Sequence, residues 1–160
     1  MWIKTSLAAL SILAMASVAS VAWAAGGPDP FESDKPPGDY ELAVTAIKDG
    51  KFAQALPLLQ KYLKTEPANP HAWNYLGFSY RKLKRFDEAL VAYKQALAIS
   101  PNHRGANEYL GELYLQTGKP AKARERLKVL DSACFFGCEE FDDLKAAIAA
   151  YDSGRKPKSW

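Results

Sequence analysis

An excess of charge of either sign is almost missing. Lys and Arg total 21 against 18 Asp and Glu, a formal +3 over 160 residues. A nucleic-acid footprint needs a concentrated basic face, so that class of partner is excluded. Also missing are the nucleophile elbow, the phosphate-binding loop and the metalloprotease helix, so no catalytic residue, metal or cofactor is expected. Ten Gly and ten Pro in a chain that is 48% hydrophobic and 24% charged rule out collagen-like, mucin-like and wholly disordered architectures. The length admits one domain with a modest core.

Long uncharged runs are confined to the N-terminus. Lys4 precedes an apolar or small stretch from Leu7 to Val21, and Ala22-Trp23-Ala24 places small residues where a signal peptidase reads. The run is shorter than the roughly 20 residues of a spanning helix. The expectation is a signal peptide over residues 1–24, cleaved after Ala24. The mature chain is then exported, periplasmic or secreted, with no stable membrane insertion. Residues 25–35, rich in Gly and Pro, read as a flexible linker.

The remainder repeats itself at a spacing of 34 residues. Leu42, Leu76 and Leu110 fall in one column, Ala43, Gly77 and Gly111 in the next, and Ala55, Ala89 and Ala123 in a third. Phe52 matches Phe86, Tyr80 matches Tyr114, Pro67 matches Pro101, and Leu59, Tyr93 and Leu127 form a bulky column. A fixed period of this length marks a solenoid, whose units bury their apolar faces only against neighbours. In the middle unit Trp73, Leu76, Gly77 and Tyr80 recur at helical spacing, then Phe86, Ala89, Leu90, Tyr93, Ala96 and Leu97 after a basic turn. Asn69 and Pro70 suit a helix start and Pro101 a helix stop. Gly77 and Ala89 let two backbones approach. Pro57 falls inside a second helix, where a slight kink is expected.

Trp73, Leu76-Gly77, Tyr80, Ala89, Tyr93, Ala96 and Pro101 resemble, in order and spacing, the signature of the tetratricopeptide repeat. The flanking units depart from it: Asp39 stands for the Trp and Ala46 for the Tyr in the first, Asn107 for the Trp and Phe135 for the closing Pro in the third. The resemblance implies an all-α fold, a right-handed α–α superhelix of three helix-turn-helix repeats at 36–69, 70–103 and 104–137. Phe141, Leu144 and Ile148 continue the register, but Lys145 replaces the small residue. Residues 138–152 therefore read as a single capping helix with a polar outer face, and 153–160 as a tail.

The resemblance also implies a concave face, lined by the first helix of each pair, that takes a peptide or a partner's helix. Tyr40, Val44, Asn74, Phe78, Arg81, Lys82, Glu108 and Glu112 are the candidate partner-binding residues. Phe78 and Tyr40 would be aromatic anchors, with the alternative that they pack against neighbouring helices. Charge is split, basic in the middle repeat and acidic in the third, and the acid pair Glu108 and Glu112 is expected on a solvated face. The basic cluster Arg81, Lys82, Lys84 and Arg85 is expected in a solvated turn. Some members of the family grip a C-terminal carboxylate with Lys and Asn where this chain carries Tyr40 and Val44, so that mode is not expected.

Cys134 and Cys138 flank the turn before the cap. In an oxidising compartment the expectation is a structural disulfide. A redox-active pair or a copper(I) site is the alternative, and with it a redox or copper-handling accessory function. His71 and His103 have no Cys, Asp or Glu at ligand spacing and are not expected to bind metal. The functional expectation is a non-enzymatic adaptor for a protein or peptide partner.

Overall fold

The computed structural model describes residues 38–157. The expected signal peptide, the linker and the last three residues of the tail lie outside the described residues. Within them the chain forms α1 (Asp39–Lys48), α2 (Phe52–Thr65), α3 (Pro70–Lys82), α4 (Phe86–Ile99), α5 (Arg104–Gln116), α6 (Pro120–Ala133) and α7 (Glu139–Asp152), and no strand.

Local chemistry starts and stops these helices in step with the period. Asn69 caps α3 by accepting from the Ala72 amide at 3.1 Å, and Pro70 follows in the first turn. One period on, His103 caps α5 in the same way, its Nδ1 accepting from the Ala106 amide at 3.1 Å. The turns inside the three pairs place Gly50, Lys84 and Gly118 at φ 72°, 60° and 70°. Left-handed backbone suits glycine, so Lys84 accepts a conformation that its column neighbours adopt freely. α2 runs unbroken through Pro57.

Packing follows the small columns. A Cβ on Gly77 would lie 2.7 Å from the Tyr93 ring, so that ring lies directly against the α3 backbone. A Cβ on Gly111 would lie 2.5 Å from a Leu144 methyl, so here the niche is filled by α7 and not by the second helix of its own pair. The Tyr93 column carries Leu127 in the third repeat, which is half-buried. α7 consequently packs on α5 as well as α6. One core cluster joins the first two repeats to Leu110 and Leu113, and a second joins Leu115, Ala123, Leu130 and Cys134 to Leu144, Ala147 and Ile148. Cys134 and Cys138 are joined across the α6–α7 turn with Cα atoms 5.6 Å apart.

Candidate partner-binding face

The first helices α1, α3 and α5 bring most of the candidate residues into one seam, but the seam is closed where charge was expected. Tyr40 is half-buried, its ring 5.1 Å from Tyr62 and 6.1 Å from Tyr75. Phe78 is half-buried between Phe52 at 5.7 Å and Tyr109 at 4.8 Å. It therefore packs on neighbouring helices and offers a partner only part of one face. Val44 is half-buried, and Lys82 is half-buried with its ammonium 5.8 Å from the Phe78 ring.

The solvated acid pair is corrected. Glu112 is fully buried and Glu108 retains 7% of its surface. The cause is α7, which lies over α5 and closes a cleft of about 660 Å³ on Glu112 with Asp143, Ala147 and Ala150 and the tail residues Lys156 and Pro157. Arg81 leaves the expected basic turn and points inward, where its Nη2 meets a Glu112 carboxylate oxygen at 2.6 Å. The split charge of the face is thus largely spent inside the protein. Asn74 is buried as well. Of the basic cluster, Lys84 and Arg85 remain exposed, Arg85 pairing with Glu88 at 2.7 Å.

Electrostatics in the seam follow from this burial. Glu108 is pushed up to about 8, first by burial and then by Glu112, Asp143 and Glu140, with Arg81 opposing. Tyr109 is pushed up to about 12 by burial and then by the same two glutamates. The outcome is a largely neutral, aromatic surface above a paired and buried charge.

Tyr75 and Tyr109 were not anticipated as site residues. Both are half-buried beside Tyr40 and Phe78. The signal was present, since they stand 34 positions apart, one column beyond Asn74 and Glu108. The two histidines also meet: His103 Nε2 lies 3.0 Å from His71 Nδ1. They border a cleft of about 440 Å³ with Asn74, Glu108 and Glu140. No group of three or more His, Cys, Asp or Glu able to hold a metal ion occurs among the described residues. No described helix is long and apolar enough to cross a membrane.

Comparison with known proteins agrees with this architecture. The tetratricopeptide repeat family model matches residues 70–103. Residues 70–103 are a tetratricopeptide repeat, and the chain has the fold of stacked helix pairs of this kind. It is similar to the human PEX5-related protein, with 26% identity over 102 residues covering 61% of this chain and 16% of that protein. It is also similar to an inactive tetratricopeptide repeat-containing thioredoxin of Arabidopsis thaliana, with 29% identity over 60% of this chain and 13% of that one. The chain therefore spans about a sixth or less of the length of these relatives. Among solved structures a MamA mutant is 30% identical, with TM-score 0.54 over 57% of this chain and 67% of that one. The Yersinia enterocolitica type III secretion translocator chaperone SycD has TM-score 0.66 at 18% identity, over 72% of this chain and 82% of its own. That likeness carries the fold, an all-α superhelix of stacked helix pairs.

Proposed function

We propose that this protein is a non-enzymatic adaptor of an exported compartment, holding a segment of a partner protein against the first helices of its repeats. The aromatic seam carries the reading: Tyr40, Tyr75, Phe78 and Tyr109 lie half-buried and in contact across α1, α3 and α5. Rings fixed in this way lose little entropy on binding and offer apolar area, which is where interface energy concentrates. Because Arg81 and Glu112 are already paired, orientation of the partner falls to the rim, where Lys48 is exposed and Lys82 half-buried. Two solved neighbours support a peptide or protein ligand: the first repeat domain of Spaghetti (RPAP3) bound to an HSP90 peptide, and PcrH in complex with the chaperone-binding region of PopD. Export rests on the N-terminal sequence pattern, and the Cys134–Cys138 pair is consistent with an oxidising destination.

A photo-crosslinking amino acid placed at Val44 or Tyr75, compared with one at Lys128 on α6, tests the site in the expressing cell. The expected result is one protein crosslinked from Val44 and Tyr75 and absent from Lys128. Equal labelling from all three positions, or from Lys128 alone, removes the seam as the binding face. Fractionation of the same cells tests export, and retention of the full-length chain in the cytoplasm removes it.

A further inference from the structure

Phe135 and Phe136 are 88% and 96% exposed, and their rings meet edge-on at 5.1 Å. They occupy the tip of the loop that Cys134 and Cys138 close, and Gly137 turns it at φ 85°. Each phenyl group leaves roughly 200 Å² unburied, and a ring this small cannot fold both of them inward. Closing the loop also removes freedom that a partner would otherwise have to freeze.

The same chain carries a receptor for such a tip. α2, α3 and α4 enclose an open cleft of about 540 Å³ lined mainly by Leu63, Trp73, Leu76, Tyr80 and Val91. Val91 is 58% exposed at its mouth. The volume falls in the range of roughly 300–1,000 Å³ that seats a compact apolar ligand. The loop cannot fill the cleft of its own chain, because α6 and α7 pack on α5 and on each other and on no other described helix. Charge favours the match as well. The loop is flanked by Asp131, Glu139, Glu140 and Asp142, with Lys128 the nearby cation. α2 carries no acidic residue and places Lys64 on the rim of the cleft, while its Lys61 is paired with Asp39 at 3.0 Å. The opposite rim holds Asp87 and Glu88, of which Glu88 is held by Arg85.

We propose that the Phe135–Phe136 tip of one copy inserts into the Leu63–Trp73–Val91 cleft of a second copy. The contact is heterologous, so repetition builds a chain of molecules and not a closed dimer. Two phenyl groups and the surface they cover amount to about 800 Å², below the 1,000–1,200 Å² of a stable interface, so the association is weak and concentration-dependent.

Sedimentation equilibrium of the oxidised protein from about 10 µM to about 1 mM tests it, a range suited to weak complexes. The expected result is a weight-average mass that rises with concentration. The double variant Phe135→Ser/Phe136→Ser and the variant Val91→Asp each associate at least about tenfold more weakly, with unchanged helical content, because all three side chains are exposed. An equimolar mixture of the two variants restores one contact and stops at a dimer, since each supplies the half that the other lacks. A wild type that stays monomeric throughout overturns the proposal, as does a mixture that stays monomeric. Binding to phosphatidylcholine vesicles that the Phe double variant loses, with the wild type monomeric in solution, overturns it in favour of a lipid surface.

Discussion

Arg81 Nη2 and Glu112 Oε2 lie 2.6 Å apart between α3 and α5, with the two side chains 1% and 0% exposed. The Phe78 and Tyr109 rings flank the guanidinium at 5.5 and 5.4 Å. Burial works against the charge of Arg81, but Tyr93 and Glu112 outweigh it and its pKa is raised. The pair ties the second repeat to the third near the ends of α3 and α5, as the His103–His71 contact does at their starts.

Removing one partner leaves a buried charge with no counter-ion. Arg81→Met or Glu112→Leu alone should lower the unfolding free energy by about 3–5 kcal/mol, whereas the two together should recover most of that loss. Urea denaturation of the four proteins checks it as a double-mutant cycle. Additive losses would mean that the two groups do not stabilise one another.

The two small-column glycines should respond differently to alanine. At Gly77 the added carbon meets the Tyr93 ring, which is held in the core and cannot move aside, so overpacking of about 1–3 kcal/mol outweighs a gain in helix propensity of about 1 kcal/mol. At Gly111 it meets the methyl end of Leu144, which has rotamers to use, so the same gain leaves the variant near neutral. Thermal melting of Gly77→Ala and Gly111→Ala compares them. Equal losses would show that α7 holds Leu144 as rigidly as α4 holds Tyr93.

The repeat spacing made the helix pairs legible because each column has a steric job. Gly77 against Tyr93 and Asn69 capping α3 follow from residue type and register alone. Leu42 shares its column with Leu76 and Leu110, yet it is 42% exposed because no described helix packs outside α1. The charged seam was not legible for a related reason. Whether Glu112 meets water depends on where α7 lies, and α7 is placed by the niche beside Gly111 and the short Leu127, a long-range consequence that the local pattern around Glu112 does not contain. Phe135 and Phe136 escaped because the period assigns their loop no function.

Glu108 makes stability fall with rising pH. Its folded pKa of about 8 stands above the ordinary 4.5, so the folded protein holds this proton more tightly than the unfolded chain does. The stabilisation is complete below about 4.5 and is lost as pH rises through about 8. Glu108→Gln removes the titration, so wild type should lose on the order of 2–4 kcal/mol relative to the variant between pH 5 and pH 9. Denaturation at pH 5, 7 and 9 measures the difference. A gap between the two proteins that is the same at all three pH values would place the carboxyl in contact with water.

His103 acts in the opposite sense at the acid end. Its Nδ1 accepts the Ala106 amide, so its proton resides on Nε2 and is donated to His71 Nδ1. Burial, and then His71, lower its pKa below the ordinary 6.5, while Glu140 pulls weakly the other way. The unfolded chain therefore takes up the proton first, and the stability owed to neutral His103 is present above about 6.5 and lost as pH falls below it. His103→Asn keeps an acceptor for the α5 cap and cannot titrate. Between pH 7 and pH 5 the melting temperature of wild type should drop more than that of His103→Asn. The nitrogen chemical shifts of the imidazole at pH 7.5 should report a bare Nδ1, and a protonated Nδ1 would dissolve both the cap and the bond to His71.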